Sequence, residues 1–239
     1  MIPRIDRGTR VLLLAATLVM AGCATAPKQG GIDDPFESWN RSMYAINEPL
    51  DKYFARPVAE AYVQIFPSFF RQAVTNYVNN IDDLFSVVNG LLQGKWDKAG
   101  HDMGRVIINT AFGFGGLIDI ASSGDIPRGM EDFGQTFGYW GFPQGPYLFI
   151  PLWGPTTVRD GTGELLRLVW SPTNEIPSVA VRNTVYGFAA VNARANALEA
   201  TSLIEQAAID PYTFVRRSYL QRREYLVHDG NPPPPKDDD

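Results

Sequence analysis

The stretch EDFGQTFGYWGFPQGPYLFIPLWGPTTVRDGTG, residues Glu131 to Gly163, decides how the rest of the chain is interpreted. It holds seven glycines, four prolines and eight aromatic residues, and its only charges are Glu131, Asp132, Arg159 and Asp160. A surface loop of this length is usually polar, because its backbone groups need water or a partner for their hydrogen bonds. We therefore expect these aromatic residues either to be buried in a packed connection between helical layers or to face a bilayer or an acyl chain.

A second glycine-rich segment precedes this stretch. Residues 109–120 read NTAFGFGGLIDI, but their glycines do not have the G-x-G-x-x-G spacing of a dinucleotide-binding loop, and no strand pattern comes before them. We interpret the segment as a flexible apolar loop. Together the two segments are expected to form one functional surface.

The N-terminus has the pattern of a signal peptide over residues 1–22. Three arginines precede an apolar run from Val11 to Ala21, which is shorter than the about 20 residues of a spanning helix. The ending Met20-Ala21-Gly22-Cys23 resembles a bacterial lipobox, with methionine where leucine is usual. We expect cleavage before Cys23, covalent lipid on that cysteine and a short tether over residues 23–33. The alternative is an ordinary signal peptide with an incidental cysteine.

Composition limits the class of the mature protein. Removing 22 of the 239 residues leaves 217, enough for one large domain or two small ones, and the single cysteine allows no disulfide. Loss of three arginines and one aspartate takes the formal net charge from -5 to -7, which argues against nucleic-acid binding. Ala24 stands where an aspartate would retain a lipoprotein in the inner membrane, so the chain resembles an outer-membrane lipoprotein.

Prolines and capping residues divide the chain after Asp34 into helices. Asp34-Pro35 predicts a helix that ends before Pro49, because aspartate caps and proline favours the first helical turn. Further helices are expected to begin at Pro57 and Ser68 and to span residues 79–94, 95–110, 157–170, 178–208 and 210–225. The predicted fold class is all-α: a single compact multi-helix domain over residues 34–229, with Gly/aromatic-rich connecting loops. Residues 230–239 are expected to form a disordered proline- and aspartate-rich tail.

Two of these helices carry patterns that bear on function. In the helix of residues 95–110, apolar residues recur at spacings of three and four, which predicts one buried stripe. The stripe consists of Trp96, Ala99, Met103, Val106 and Thr110. The last helix carries four arginines, which either meet lipid phosphates or a partner's carboxylates, or form a solvated face. They are Arg216, Arg217, Arg222 and Arg223.

Catalytic and metal-binding patterns are missing from the sequence. The only histidines, His101 and His228, lie far apart and outside any H-E-x-x-H pattern, and no G-x-S-x-G places a serine nucleophile. The adjacent acids Asp82-Asp83 and Glu131-Asp132 are interpreted as solvent-facing or capping residues. We therefore expect no enzyme activity, no metal and no cofactor other than the covalent lipid on Cys23.

Separated motifs resemble the MlaA/VacJ family of outer-membrane lipoproteins. The opening Asn40-Arg41-Ser42-Met43-Tyr44-Ala45-Ile46-Asn47 is similar to the family's N-R-x-M-Y-x-F-N, with Ile46 where phenylalanine is common. Matching motifs follow in the same order along nearly the whole mature chain. They include Leu50-Asp51, Arg56-Pro57-Val58-Ala59, Asn89-Gly90-Leu91-Leu92-Gln93-Gly94, Phe133-Gly134-Gln135-Thr136 and Asp210-Pro211-Tyr212.

The resemblance implies a ring-like, doughnut-shaped helical protein embedded in or on the outer membrane of a Gram-negative bacterium, lipid-anchored on its periplasmic side. Such proteins sit beside porin trimers and give misplaced outer-leaflet phospholipids an amphipathic channel. A periplasmic lipid-carrier protein then takes the lipids to an inner-membrane transporter. The implied function is retrograde phospholipid trafficking that maintains lipid asymmetry, with no nucleic acid involved.

Candidate channel or gate residues are taken from two places. Tyr44, Ile46 and Asn47 are candidates for a hinge that controls the channel. Aromatic residues of the two apolar segments are candidates for its lining or rim, and ordinary core packing is the alternative for all of them. They are Phe112, Phe114, Phe137 and Trp140. Two other functions stay open: a structural membrane adaptor that binds a porin or lipid carrier, and a membrane lipid hydrolase that depends on His101.

Overall fold

A computed structural model describes residues 34–233 of the chain. The predicted signal peptide of residues 1–22, Cys23 and the tether of residues 23–33 lie outside the described residues. Residues 234–239 of the predicted tail also lie outside the described residues.

The first helix does not end before Pro49, as the sequence had suggested. Helix α1, Glu37–Leu50, contains Pro49 and continues through a π-helical turn, Asp51–Ala55, into α2, Arg56–Ile65. Proline removes one helical N–H, and a π-helical turn is one way in which a helix accommodates an altered hydrogen-bond pattern. Pro57, where a helix start was expected, lies in the first turn of α2, but no helix begins anew there because α1 continues into α2 through the π-helical turn.

The next two helices form an antiparallel pair. Helix α3, Ser68–Leu92, is one helix of 25 residues, so the separate helix predicted over residues 79–94 was wrong. Asparagine costs a helix interior only about 0.7 kcal/mol, which packing against the next helix can offset. That helix is α4, Trp96–Ala111, close to its predicted bounds. At the crossing, Gly90 brings its backbone so near Ala99 that an added Cβ would lie 3.1 Å from the Ala99 Cβ.

The predicted buried stripe of α4 was wrong apart from Ala99. Trp96 is 71% exposed and Met103 is 42% exposed, while the buried positions are Asp102, Arg105 and Asn109. These polar residues have the same three-and-four spacing and therefore form a helix face of their own. The helix turns this face inward because α3 and the following turn supply partners for it.

The aromatic stretch contains regular structure that the sequence did not lead us to expect. Helix α5, Phe133–Tyr139, begins after Asp132, whose side chain accepts a hydrogen bond from the Gln135 N–H. Strands β1, Tyr147–Ile150, and β2, Gly154–Thr157, then form an antiparallel hairpin, with Tyr147 opposite Thr157. A 3-10 turn, Ala121–Gly124, lies between α4 and α5.

The second half is helical. Helix α6, Val158–Val169, is capped by Thr157 and confirms the helix predicted over residues 157–170. The helix predicted over residues 178–208 is instead two helices, α7, Val179–Asn196, and α8, Leu198–Ala207. Helix α9, Pro211–Val227, is capped by Asp210 as expected.

Packing of these elements gives one mostly helical domain, as predicted. The hairpin packs on α1 and α9, and α5 packs on α6 and α9. Helix α7 packs along α2 and α3. A common interior space consequently lies between elements that are distant in sequence. These elements are α3, the hairpin, α6 and α9.

Candidate functional site

The distribution of polarity is the reverse of that in a water-soluble domain. Within residues 34–233, eleven apolar and twenty polar or charged side chains are buried, whereas thirty-five large hydrophobic side chains are exposed. Arg105 is 1% exposed, while Phe114 is 76% exposed. Buried charges require paired partners, and exposed apolar surface of this extent is typical of proteins that contact a membrane or another protein.

Five of the buried polar residues, Asn89, Glu131, Thr156, Asp160 and Arg223, line a cavity of about 420 Å³. Its walls come from α3, the connection before α5, the hairpin, α6 and α9, so elements that are distant in sequence meet around it. Eight of its lining residues are charged, which makes it a polar chamber. They are Asp82, Arg128, Glu131, Asp132, Asp160, Glu164, Arg167 and Arg223.

The first group of charges, the Arg105 cluster, joins α3 to α4. Arg105 donates to Asp83 at 2.9 Å and, through Nη2, to both carboxylate oxygens of Asp119 at 2.9 and 3.0 Å. Arg128 donates to the other oxygen of Asp83 at 2.6 Å. The cluster therefore contains two arginines and two aspartates, and its charges are balanced.

The second group, the Arg223 cluster, joins α5, α6 and α9. Arg223 donates to Asp132 at 2.6 Å and to Asp160 at 2.9 Å, and Arg159 donates to Asp160 at 3.0 Å. Burial acts to raise the pKa of Asp132, but hydrogen bonds and charge from Arg223 outweigh it and hold that pKa below its usual value. Here too, two arginines balance two aspartates.

The third group, the Lys95 cluster, reaches the chamber wall through Glu131. Lys95 and Lys98 each contact Glu131 and Asp229, at distances from 2.5 to 3.1 Å. Glu131 is almost completely buried, so these lysines compensate a carboxylate that water cannot reach. Two lysines and two carboxylates again give a balanced group.

The fourth group, the Arg167 triad, spans the chamber between α6 and α3. Arg167 donates through Nε to Glu164 at 2.8 Å and through Nη1 to Asp82 at 3.2 Å. Burial raises the pKa of Asp82, against the opposing charges of Arg167 and Arg128. The side chains of Asp82, Arg167 and Glu164 are 39%, 29% and 30% exposed, so they are accessible from the chamber.

Two less polar cavities lie beyond the chamber, one adjoining the chamber and the other adjoining the first. One, of about 360 Å³, lies between the hairpin tip, the π-helical turn and α7. Its wall shares Trp153 with the polar chamber. The other, of about 420 Å³, is an apolar groove between α2 and α7, and it shares Val58 and Val191 with the hairpin-tip cavity. Polar and apolar spaces thus lie next to one another along the molecule.

Buried hydrogen bonds hold the hairpin in the chamber wall. The Asn40 side chain, which is fully buried, donates to the Tyr147 carbonyl at 2.9 Å and accepts from the Phe149 N–H at 2.9 Å. It thus bonds β1 much as a neighbouring strand would. The Leu152 N–H donates to the Asn47 side chain at 2.8 Å.

The predicted gate residues lie along this contact between α1 and the hairpin. The Tyr44 ring centroid is 5.1 Å from that of Phe149, in edge-on packing. Asn47 lines the hairpin-tip cavity, and Ile46 is exposed. Of the three residues, only Asn47 lines one of the described cavities, and the gating role stays a prediction.

The predicted lining residues lie farther out. Phe112 and Phe114 are exposed in the turn after α4, and Phe137 is half-buried with its ring 6.3 Å from that of Trp140. Trp140 is itself exposed and donates to the Leu92 carbonyl at 3.2 Å. None of these four belongs to the walls of the three described cavities. Cys23 lies outside the described residues.

Sequence reasoning missed the charged residues of the chamber. It treated Asp82-Asp83 as solvent-facing or capping, yet Asp83 is completely buried between Arg105 and Arg128. Of the four C-terminal arginines, Arg216 and Arg223 are buried and pair with aspartates of this chain, while Arg217 and Arg222 are exposed. A usable signal was the polar face of α4, whose members recur with helical spacing.

Between residues 34 and 233, no three His, Cys, Asp or Glu side chains are grouped so that they could hold a metal ion. His101 and His228 are both exposed. Over the same residues, no helix has the length and apolar character needed to cross a membrane.

Comparison with known proteins identifies similar chains. A family model described as MlaA lipoprotein matches residues 32–226. The Shigella flexneri protein named intermembrane phospholipid transport system lipoprotein MlaA is 32% identical over 225 residues, which cover 91% of this chain and 88% of that protein. The Escherichia coli K12 protein of the same name has the same identity and coverage.

A solved structure supports the same grouping. It belongs to work described as the structural basis for maintenance of bacterial outer membrane lipid asymmetry. It matches with a TM-score of 0.73 and 30% identity, covering 82% of this chain and all of the solved one.

Proposed function

The chain belongs to the MlaA lipoprotein family, and we propose on that basis that it removes mislocalised phospholipids from the outer leaflet of the outer membrane. This retrograde transport would maintain lipid asymmetry. Two relatives are named as lipoproteins of an intermembrane phospholipid transport system, which supports the proposal.

The observation that carries the proposal is the polar chamber inside an apolar exterior. A phospholipid has a charged headgroup whose passage through hydrocarbon is strongly unfavourable, and acyl chains whose exposure to water is unfavourable. The chamber offers charged partners to the headgroup, and the hairpin-tip cavity and apolar groove offer a less polar surface to the chains. Trp153 lies at the boundary between the two environments.

The exposed apolar residues support a membrane-embedded position. Contact of the thirty-five exposed large hydrophobic side chains with water would be unfavourable. They include Trp39, Phe69, Phe112 and Trp170. We propose that this exterior contacts acyl chains of the outer membrane and that lipid on Cys23 anchors the protein from the periplasmic side. An envelope lipoprotein of this kind needs no spanning helix of its own.

Partners follow from the same proposal. A porin trimer would cover part of the apolar exterior, and a periplasmic lipid carrier would collect phospholipids and feed an inner-membrane transporter. The transported lipid is not chemically changed, so no catalytic residue is assigned. A passive channel lowers the barrier to movement, and the direction of transport is therefore set by lipid asymmetry or by the downstream transporter.

The proposal is tested by measuring surface-exposed phospholipid in cells that lack the protein and carry plasmid-borne variants. Met130, which is exposed at the chamber wall, and Met103, which is exposed on α4 away from the three cavities, provide a matched pair. Met130→Trp is expected to obstruct the chamber and leave phospholipid at the surface. Met103→Trp and the wild type are expected to restore asymmetry.

Both variants must be present in the membrane at wild-type amounts and with wild-type circular dichroism. Restoration by Met130→Trp as complete as that by Met103→Trp would contradict lipid passage through the chamber. It would favour the adaptor function, in which the protein binds a porin or carrier but conducts no lipid. Aromatic-to-polar changes at Phe114, Phe137 and Trp140 test the outer surface in the same assay.

A further inference from the structure

The four charged groups of the chamber differ in charge balance. The Arg105, Arg223 and Lys95 clusters each contain two positive and two negative side chains. The Arg167 triad contains one arginine and two carboxylates, so it has one formal negative charge in excess. Of the four groups, each of which contributes at least one residue to the chamber wall, the triad is the one with unequal numbers of positive and negative side chains.

The triad also has the geometry of a site that a ligand can enter. Arg167 is shared between Glu164, three residues earlier on α6, and Asp82 on α3. The contact to Asp82 is a single hydrogen bond of 3.2 Å, longer than the contacts to Glu164 at 2.5 to 2.9 Å. All three side chains are partly accessible, unlike the buried pair of Arg105 and Asp83.

We propose that the Arg167 triad selects zwitterionic phospholipid headgroups, such as phosphatidylethanolamine, over anionic ones such as phosphatidylglycerol. This inference rests on the transport function proposed above and adds headgroup preference to it. The lipid phosphate accepts hydrogen bonds from Arg167, and the lipid ammonium lies against Asp82.

Charge complementarity explains the preference. A zwitterionic headgroup inserts both of its charges into the ion pair between Arg167 and Asp82, so each protein charge exchanges one opposite charge for another. An anionic headgroup supplies only the phosphate. It would leave Asp82 and Glu164 facing a further negative charge, and like charges at close range are unfavourable.

The test compares the two headgroups on the full-length lipidated protein. Detergent-purified protein is equilibrated with vesicles of equal phosphatidylethanolamine and phosphatidylglycerol and separated from them, and the bound lipids are quantified by mass spectrometry. The wild type is expected to hold about three to ten times more phosphatidylethanolamine, the range expected for one partly exposed charge interaction. Asp82→Asn removes the partner of the lipid ammonium and should bring the ratio close to one. Glu164→Gln removes the excess negative charge but keeps Asp82, so it should lower the ratio without abolishing the preference.

Glu175→Gln is the matched control, because it removes the same charge from an exposed residue outside the four groups. It should keep the wild-type ratio. Glu164→Gln leaves Asp82 with Arg167 and so tests the charge argument even if Asp82→Asn does not fold.

Three results would overturn the inference: equal retention of the two lipids by the wild type, retention of neither lipid, or an undiminished preference in folded Asp82→Asn or folded Glu164→Gln. The surface-phospholipid assay reports separately on transport. A wild type that restores asymmetry but shows no headgroup preference refutes only the selection by the triad.

Discussion

Replacement of Asn40 by alanine is expected to destabilise the hairpin that forms part of the chamber wall. Asn40 is fully buried and joins α1 to β1 through two hydrogen bonds of 2.9 Å, one to the Tyr147 carbonyl and one from the Phe149 N–H. Tyr147 and Phe149 are themselves buried, so water cannot easily replace the lost partner. The variant would leave one backbone donor and one backbone acceptor unsatisfied.

The size of the effect follows from those two groups. Each buried polar group without a partner costs about 1–3 kcal/mol, so the free energy of unfolding should fall by about 2–6 kcal/mol. For a domain of this size, 1 kcal/mol corresponds to a shift of about 2–4 °C, so the melting temperature should fall by at least about 4 °C. Thermal unfolding of the lipidated protein in detergent, followed by circular dichroism, measures the change.

Asn47→Ala is the control on the same helix. Asn47 accepts a single hydrogen bond from the N–H of Leu152, which is exposed and can bond water instead. Its removal should cost only about 0.5–1.5 kcal/mol. A melting temperature for Asn40→Ala that falls no further than that for Asn47→Ala would refute the reasoning about buried unsatisfied groups.

Three further predictions concern packing, pH and lipidation. Gly163→Ala would place a Cβ 2.5 Å from the Gly134 backbone nitrogen and should lower the free energy of unfolding by about 1–3 kcal/mol. Gly100→Ala is the control, because Gly100 has open space around it and the change should not lower stability. Equal chemical-denaturation midpoints for the two variants would contradict this. Burial acts to raise the pKa of Asp119, but hydrogen bonds outweigh it and lower that pKa to about 2. The ionised Asp119 carboxylate should therefore stabilise the folded protein above about pH 4, and this stabilisation should be lost as the pH falls towards 2. Between these pH values the melting temperature of Asp119→Asn should depend less on pH than that of the wild type. Parallel curves of melting temperature against pH would be evidence against this prediction. Cys23→Ala should abolish the lipid mass seen by intact-protein mass spectrometry, and a persisting lipid mass would exclude Cys23 as the attachment site.

Local sequence signals predicted helices well where a cap or a helical start is encoded in a few residues. Thr157 and Asp210 both cap helices at their expected positions. Boundaries that depend on tertiary context were missed. Pro49 lies inside a continuous helix, and the break at Ala197 occurs at a residue with high helix propensity.

The chamber was not predictable from local patterns because its partners are distant in sequence. Asp82 and Arg167 are 85 residues apart, and Asp132 and Arg223 are 91 apart. Nothing in a single sequence says that these side chains meet. The sequence drew attention instead to the aromatic residues, which are conspicuous in composition but lie mostly outside the described cavities.

The sequence alone determined the helical class, the apolar character of residues 131–163 and the family resemblance. It also led to the predictions for Cys23. Hydrophobic periodicity also separates two faces of a helix such as α4, since side chains three and four apart share a face. It does not say which face turns inward. That was decided by tertiary structure, where Asp102, Arg105 and Asn109 point to the interior and Trp96 to the exterior. The physical reason is that burial of a charge is tolerated only where a partner is supplied, and those partners come from elements that meet only in the folded protein.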